Sequence, residues 1–307
     1  MDSHTEMRHH PDMAALPRSK PNLVSLSSAE AILAESAGDA AFATTLAKGL
    51  VVLEAFKAGS RLLGNMEISV RTGIPRPTVA RLTHTLAELG YLHYDRDLAK
   101  YRVGVRALHM AHPLLADMPF RQLARPLMQE FAQSVRGTVS IGLLDGTAMV
   151  YVETARSGDV GPHTPDIGMP IPVVSTAMGR AAAAILPAAD GAGLDARLQI
   201  EDAELWSELG ALYRRGLTQC ADQGFCTCVG EYMASIHAVA TPLFYASGPK
   251  RAFAINCGIP AFRLVSGQLE AEIGPRIHAL AGSIRALINE DEPVIIRREA
   301  QPVVEVS

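Results

Sequence analysis

Residues 44–104 carry the pattern that most constrains how this chain can fold. A short helical stretch, MEISVRTG, ends at Gly73, and a second helical stretch begins near Pro77. The run YLHYDRDLAKYRVG then gives two β-prone segments around a polar turn. An earlier helix precedes them, and its apolar face is predicted at Leu46, Leu50, Leu53 and Phe56. This order of elements predicts a winged helix-turn-helix.

The second helix of the pair separates apolar from polar side chains. Its inward side is predicted at Val79, Leu82, Leu86 and Leu89. Pro77 suits the first turn, where a backbone N–H has no helical partner. We expect Arg76 and Thr78 beside the positive end of the helix, where a phosphate docks, and Arg81 at a guanine edge. The expected DNA contacts of this helix and the hairpin are Arg76, Pro77, Thr78, Arg81, His84, Thr85, Arg96, Lys100 and Arg102.

The charge distribution indicates a polyanionic partner for this segment. Residues 48–110 contain ten Lys and Arg residues but only five Asp and Glu residues, which is a net charge of +5. Because the whole chain has a formal net charge of −4, the remaining residues carry −9. A basic segment on an acidic protein favours contact with a nucleic acid backbone. We therefore expect double-stranded DNA as one partner.

The rest of the chain predicts a second domain of the α+β class. Residues 120–135 are interpreted as its first helix, with Pro113, Pro119 and Pro126 dividing the helical region around it. Asp145-Gly146 lies between two β-prone runs and predicts a hairpin. Two later strands are predicted in SIHAVATPLF and KRAFAINCGI, followed by a closing amphipathic helix. The predicted divisions are a winged domain at 44–104, a linker helix at 105–118 and a second domain at 119–292.

The two ends of the chain and its cysteines add few constraints. Residues 1–43 predict a mobile tail with one short helix near 29–35, and residues 293–307 a C-terminal tail. Four cysteines form no C-x-x-C pair, so they predict neither a zinc site nor a disulfide framework. No secretory signal is visible, and no apolar run reaches the ~20 residues that cross a bilayer. We expect a cytoplasmic protein with no membrane contact, metal or other cofactor.

Several stretches resemble the IclR family of bacterial transcription regulators. AKGLVVLEAF, GIPRPTVARLTHTLAELGYLHYD and YRVG are similar to the family's N-terminal domain. SIGLLDGTAMVYVE, GMPIPVVSTAMGRAAAAIL and AINCGIPAFRL are similar to its C-terminal domain. The resemblance implies a GAF-like effector-binding domain and subunits that pair through their DNA-binding domains, often as tetramers. A homodimer or homotetramer that reads a pseudo-palindromic operator is therefore expected.

Three residues depart from the family pattern. Pro77 stands where relatives carry a small polar residue, so the backbone contact of that residue with DNA is expected to change. Thr83 replaces a common leucine, which predicts a thinner core at that position. Pro113 is expected to interrupt the linker helix.

The segment VVSTAMGR predicts a binding site for a small organic acid. Ser175 is expected to cap the helix that follows, and the free N–H groups of its first turn could hold a carboxylate. Arg180 is interpreted as structural. The resemblance adds residues from the two late strands and from the acidic segment before them. The expected effector contacts are Ser175, Thr176, Ala177, Met178, Glu231, Ala238, Asn256 and Gly258.

The expected function is a DNA-binding transcription regulator controlled by an aromatic or an aliphatic keto acid. Two other functions remain open. The second domain could serve oligomerisation alone, in a regulator with no effector, or the chain could be an enzyme with an accessory helix-turn-helix. STAMGR matches neither S-x-x-K nor G-x-S-x-G, and the sequence has no P-loop and no G-x-G-x-x-G motif. No catalytic residue is assigned, and the chain is expected not to be an enzyme.

Overall fold

The computed structural model describes residues 36, 38–57, 62–158, 165–246 and 251–288. The short helix expected near 29–35 and the C-terminal tail expected at 293–307 lie outside the described residues. The α-helices are α1 (Thr44–Glu54), α2 (Asn65–Thr72), α3 (Arg76–Glu88), α4 (Arg106–Ala116), α5 (Phe120–Val135), α6 (Ala177–Ala183), α7 (Ala188–Glu201), α8 (Ala203–Gln223) and α9 (Gly274–Leu287).

The β-strands belong to a two-stranded hairpin and a six-stranded sheet. They are β1 (Leu92–Asp95), β2 (Lys100–Val103), β3 (Thr138–Asp145), β4 (Ala148–Arg156), β5 (Pro170–Pro172), β6 (Cys226–Met233), β7 (Ile236–Ala246) and β8 (Arg251–Pro260). A 3-10 helix at Ala261–Arg263 and a π-helical turn at Leu269–Ile273 connect β8 to α9.

The first three helices and the hairpin form a winged helix-turn-helix, as predicted. α2 ends at Gly73, whose φ of +67° lies in the left-handed region that glycine adopts without strain. β1 and β2 pair antiparallel, with Tyr94 opposite Tyr101. A bridge between Leu63 and Tyr101 joins the hairpin to the chain before α2. Their common core contains Val51, Val52, Ala55, Leu63, Ile68, Ile74, Val79, Leu92 and Tyr101.

The inward faces of α1 and α3 differ in part from the predicted ones. Leu46 is 65% exposed and Leu50 is 45% exposed, because α1 turns Val51 and Val52 into the core instead. Leu89 is 50% exposed, because α3 ends at the preceding residue and the chain turns away from the core there. The prediction that Leu89 faces the core is therefore wrong, and the apolar face predicted for α1 is exposed at Leu46 and Leu50.

Thr83 takes an inward position of α3 and is completely buried. Its hydroxyl group donates to the carbonyl of Val79 at 3.0 Å, in the same helix, or to the side-chain oxygen of Asn65 at 2.9 Å. Asn65 is the first residue of α2. Thr83 therefore places its methyl group in the core and its hydroxyl group in a polar contact between α3 and α2.

The second half of the chain is built around one antiparallel sheet with the strand order β5-β4-β3-β8-β7-β6. The hairpin predicted at Asp145-Gly146 connects β3 to β4, and the two late strands are β7 and β8. Helices α5 and α9 cover one face of the sheet, and α6, α7 and α8 cover the other. The predicted α+β class is confirmed. The edge strands β5 and β6 were missed by the sequence analysis.

Two prolines lie inside helices that they were expected to divide. Pro113 lies within α4 and Pro126 within α5, and both are exposed. α5 continues through Pro126 because buried side chains before and after it, Ala124 and Met128, anchor the helix in the core. One missing N–H removes only a single backbone hydrogen bond there. The third proline, Pro119, is the N-cap of α5 and ends the preceding helical region as predicted.

Neither a membrane-spanning helix nor a metal-binding cluster is present in the described part of the chain. Within those ranges, no helix has both the length and the apolar character needed to span a bilayer. The same residues contain no group of three or more His, Cys, Asp or Glu side chains that could hold a metal ion.

Candidate DNA interface and effector site

The start of α3 is defined by two prolines. Pro75 is the N-cap, and its carbonyl accepts hydrogen bonds from the N–H groups of Thr78 at 2.9 Å and Val79 at 3.0 Å. Pro77 lies in the first turn, as predicted. The first turn has no acidic side chain, so the positive end of the helix is not neutralised by its own residues.

One side of α3 is open to solvent over its whole length. Arg76, Pro77, Arg81, His84 and Thr85 are all exposed, whereas Val79 and Thr83 on the opposite side are buried. The Thr85 hydroxyl donates to the carbonyl of Arg81 at 3.0 Å, which leaves its oxygen available as an acceptor. Thr78 is half-buried. The predicted helix contacts, except Thr78, therefore form one accessible surface with two guanidinium groups.

The hairpin adds cations, but one of them already has a partner. Arg96 lies in the turn and Arg102 on β2, and both are exposed. Lys100 forms an ion pair with Glu67 of α2, with 3.0 Å between its amino nitrogen and a carboxylate oxygen. The other oxygen of Glu67 accepts from the N–H of Gly64 at 2.6 Å. That backbone bond and the Lys100 ammonium lower the pKa of Glu67, so the pair is ionised at neutral pH.

The helix of the predicted effector site begins one residue later than expected. Thr176 is the N-cap of α6: its side-chain oxygen accepts from the N–H of Gly179 at 3.1 Å and its hydroxyl donates to the carbonyl of Pro172 at 2.6 Å. The extended backbone of Thr176 gives it the geometry of a cap. The prediction that Ser175 caps the helix is therefore wrong. The Ser175 hydroxyl is buried and has no hydrogen-bond partner.

α6 is buried on all sides between the sheet and the other helices. A side chain larger than hydrogen at Gly179 would collide with the backbone of Val173, and one at Gly142 would collide with the sulfur of Met178. Two thiols of β6 fix the chain before and at the start of α6. Cys228 donates to the carbonyl of Ser175 at 3.3 Å, and Cys226 donates to that of Ala177 at 3.3 Å.

Arg180 forms a buried ion pair beneath this segment. Its guanidinium group lies 3.1 Å from a carboxylate oxygen of Glu231 and also donates to the carbonyls of Val174 and Thr227. Burial raises the pKa of Glu231, but the Arg180 charge and several hydrogen bonds lower it by more, so the carboxyl group is ionised. Burial and the Glu231 charge raise the pKa of Cys228 to about 12, so this thiol is neutral.

Three predicted residues of the late strands share the sheet face that α6 covers. Ala238 is paired with Gly258, and Gly258 is paired with Thr138 of β3. Asn256 is paired with Ser140 on one side and with Ala240 on the other. These side chains alternate with residues of the opposite core, so they lie on the α6 side of the sheet. The structure therefore brings the predicted effector residues together, with Glu231 at the edge next to Arg180.

Unpartnered polar atoms are concentrated in this region. Among the described residues, six buried side-chain nitrogen or oxygen atoms have no hydrogen-bond partner. Four of them belong to Ser175, Arg180, Glu231 and Asn256. A buried polar atom without a partner costs roughly 1–3 kcal/mol, so such atoms mark positions where a ligand or an ordered water supplies the missing bond.

A shallow cleft of about 110 Å³ lies elsewhere, between the end of α5 and the start of α9. It contains none of the predicted effector residues. Arg276 at its wall is bonded to two other lining residues, Glu272 at 3.1 Å and Ser134 at 2.7 Å. We place the candidate effector site at α6 and β8 because the unpartnered polar atoms are there.

Comparison with known proteins identifies the family. The family model described as IclR helix-turn-helix domain matches residues 45–96, and that described as bacterial transcriptional regulator IclR C-terminal matches residues 112–286, more than half of the chain. The chain belongs to the IclR family. It is a DNA-binding transcriptional regulator, and the family relatives it matches are named as regulators rather than as enzymes.

Individual IclR relatives cover most of the chain. The Pca regulon regulatory protein of Pseudomonas putida is 30% identical over 245 residues, which are 78% of this chain and 81% of that protein. The crystal structure of an IclR family regulator from Brucella abortus is 32% identical, has a TM-score of 0.72, and covers 83% of this chain and 96% of its own. An IclR homologue from Microbacterium hydrocarbonoxydans, complexed with 4-hydroxybenzoate, shares the fold at 19% identity, with a TM-score of 0.61 and coverage of 79% and 99%.

Sequence reasoning missed the partners of several charged groups in this IclR chain. The pairs Lys100–Glu67 and Arg180–Glu231 join residues far apart in sequence, and no local spacing signals them. Arg180 was interpreted as structural, and its three bonds to the chain fit that role, but its remaining nitrogen is buried without a partner. A lone arginine in an otherwise apolar helix, AMGRAAA, is the only sequence signal for this arrangement.

Proposed function

We propose that this IclR regulator binds a pseudo-palindromic operator as a homodimer and that a small organic acid controls its DNA binding. The proposed division is a DNA-binding domain at 44–104, a linker helix at 105–118 and an effector-binding domain at 119–292. The observation that carries the effector part is the set of unpartnered buried polar atoms around α6, which belong to Ser175, Arg180, Glu231 of β6 and Asn256 of β8.

The proposed DNA contact places the exposed side of α3 in the major groove. Arg81 is long enough to donate two hydrogen bonds to a guanine, and His84 and Thr85 lie one turn further along the same side. Arg76, Pro77 and Thr78 are proposed to lie beside a phosphate at the start of the helix. Arg96 and Arg102 are proposed to contact the backbone directly, and Lys100 to do so after leaving Glu67.

An exposed apolar surface supports pairing of two subunits. α4 has no buried residue, and Leu108, Met110 and Leu114 on it are all exposed. Leu46 and Leu50 of α1 are exposed as well. Exposed apolar side chains of this size on two helices favour burial against a partner. We propose a second copy of the chain as that partner, because two winged units placed together would read two half-sites.

The chemistry of the α6 site supports an acid with more than one polar group. The Ser175 hydroxyl and the free Arg180 nitrogen can donate to a carboxylate or keto oxygen. The free oxygens of Glu231 and Asn256 can accept from a hydroxyl group. Ala177, Ala238 and Gly258 are small residues close to these groups, and Thr176 and Met178 complete the proposed contacts. The 4-hydroxybenzoate of the Microbacterium relative is an acid of this type, which favours aromatic acids here.

A selection experiment tests the DNA part. Duplexes are selected from a randomised library with the wild-type protein and then measured with Arg81→Ala and Arg102→Ala. We expect Arg81→Ala to lose roughly 1–3 kcal/mol of discrimination at one base pair per half-site. Arg102→Ala should weaken binding to all duplexes equally and reduce the salt dependence by about one phosphate contact. Equal losses from both variants on all sequences would show that Arg81 does not read a base.

A binding panel tests the effector part. Aromatic and aliphatic keto acids are titrated into the full chain by calorimetry, and each acid that binds is repeated with Ser175→Ala and Asn256→Ala. We expect at least one acid to bind. Its binding free energy should become less favourable by about 1 kcal/mol or more in each variant. If no acid in a broad panel binds, the C-terminal domain serves assembly without an effector. If an acid binds equally to the variants, the effector site lies elsewhere.

A further inference from the structure

Arg121, near the start of α5, bonds three separate parts of the chain. One guanidinium nitrogen, Nε, donates to the carbonyl of Val152 on β4 at 2.6 Å. Nη1 donates to the carbonyl of Leu115 in the last turn of α4 at 3.1 Å. Nη2 lies 3.3 Å from a carboxylate oxygen of Glu153. The side chains of this ion pair are 13% and 4% exposed, so the contact is shielded from water.

The strand that Arg121 contacts is irregular at that point. Ile141 of β3 is paired with Glu153, but the next residue, Gly142, is paired with Tyr151, so Val152 is an extra residue in β4. Such a β-bulge interrupts the ladder and leaves a backbone group in need of another partner. Arg121 supplies that partner for Val152 and also holds the end of the linker helix.

A second set of contacts runs from Glu153 to the candidate effector site. The other carboxylate oxygen of Glu153 accepts from the N–H of Thr154 at 3.1 Å. The hydroxyl groups of Thr154 and Ser140 lie 3.0 Å apart on the opposite face of the sheet. Ser140 is paired with Asn256, whose side-chain oxygen is one of the buried atoms without a partner. An unbroken row of residues therefore connects Asn256 to the linker helix across the sheet.

We propose that Arg121 is the positioning residue through which the effector-binding sheet holds the linker helix, and that Glu153, Thr154 and Ser140 connect it to the effector site. A lysine could keep the charge at this position, but it could not donate to three separated acceptors at once. The fork geometry of arginine is therefore what joins α4 to the bulge. This inference rests on the proposed function, since it explains how the same site acts on DNA binding.

The test uses the reciprocity of coupled sites and needs no identified effector. If the linker and β4 are coupled, binding of DNA at the winged domain must change the local stability of β4. Amide hydrogen exchange of residues 151–154 is measured in the full chain with and without a duplex selected by the wild-type protein. Arg121→Lys is the variant, and Arg125→Lys is the matched control, because Arg125 is exposed one turn later on α5. Thermal unfolding of each variant records any change in stability separately.

In the wild type and in Arg125→Lys we expect DNA to change exchange at residues 151–154 by about fivefold or more. In Arg121→Lys that change should disappear while the duplex still binds. A double variant, Arg121→Gln with Glu153→Gln, removes both charges together, so neither charge is left buried without a partner. It should lose the DNA-dependent change in the same way, and it serves as the test if Arg121→Lys does not fold.

The other outcomes overturn either this inference or the proposed function, and they can be distinguished. A wild-type chain that selects no duplex contradicts the proposed DNA contacts. A wild-type chain that binds DNA with unchanged exchange at residues 151–154 contradicts the coupling. An equal change in the wild type and in Arg121→Lys shows that Arg121 has only a structural role.

Discussion

The hydroxyl of Thr83 lies 2.9 Å from the side-chain oxygen of Asn65, and this contact ties the recognition helix α3 to the first residue of α2. The relative placement of these two helices determines which side chains reach the DNA groove. Thr83 thus adds a hydrogen bond at a fully buried position of the helix.

Thr83→Val should therefore loosen α3 without changing its volume much. The variant keeps the branched shape but loses the donor, at an expected cost of roughly 1–2 kcal/mol. Amide hydrogen exchange in α3 of the full chain should become about 5 to 30 times faster. Thr85→Val is the matched control, because its exposed hydroxyl bonds only to its own helix. It should change exchange in α3 by less than about 2.5-fold, which corresponds to about 0.5 kcal/mol. Equal effects of the two variants would contradict a bridging role for Thr83.

Glu67→Gln should strengthen DNA binding. Glutamine can still accept from Gly64, but it cannot hold the Lys100 ammonium as an ion, so Lys100 becomes available to a phosphate. The slope of log affinity against log salt concentration should become steeper by about 0.9, which corresponds to one more phosphate contact. Glu130→Gln, an exposed change on α5, is the control and should leave the slope unchanged. Weaker binding of Glu67→Gln would show that the ion pair itself positions the hairpin.

Ser175→Ala and Thr176→Ala should differ in their effects on stability and on binding of the acid. Thr176 caps α6, so its removal should cost roughly 0.5–2 kcal/mol of stability, measured as a lower unfolding temperature. Ser175 has a buried hydroxyl without a partner, so its removal should change stability by less than about 0.5 kcal/mol or increase it. Ser175→Ala should also weaken binding of the acid that the panel identifies. A large loss of stability in Ser175→Ala would mean that its hydroxyl has a structural partner.

The ion pair of Arg180 and Glu231 predicts a pH dependence. Because the folded-state pKa of Glu231 lies below its ordinary value, its ionised form stabilises the fold above the unfolded pKa of about 4.3. That contribution is lost as the pH falls through the folded pKa. Glu231→Gln should cost about 3 kcal/mol at pH 7, and its difference from the wild type should shrink below about pH 4. Urea unfolding at a series of pH values measures this, and a constant difference would contradict ionisation of the pair.

Helix ends and turns that are determined by a few neighbouring residues could be predicted from the sequence. Gly73 ends α2, Pro77 lies in the first turn of α3, and Asp145-Gly146 forms a hairpin, because each has a backbone preference that its neighbours do not override. The family resemblance predicted a core position for Thr83, and the structure buries it there, but its hydrogen bond to Asn65 of α2 was missed because no local spacing signals that contact. The exact first residue of a helix depends on backbone geometry that the sequence does not show, so the prediction of Ser175 as the cap, instead of Thr176, is wrong by one residue.

Contacts between distant segments could not be predicted in this way. β6 lacks a regular alternation of apolar and polar residues, and it becomes a strand because β7 offers it an edge. The bulge at Val152 and its contact with Arg121 depend on the register of two strands and on the position of a third element. Ser175 was predicted from the helix start itself, but the other candidate effector residues were predicted through the family resemblance. Their unpartnered polar atoms could be found only from the packing.

The most direct measurement is the affinity of the full chain for its selected duplex, with and without each acid of the panel, in the wild type and in Asn256→Ala. We predict that at least one acid changes the dissociation constant for DNA about tenfold in the wild type and by less than about twofold in Asn256→Ala. A dissociation constant that no acid changes, or that changes equally in both chains, would contradict control of DNA binding through the site between α6 and β8.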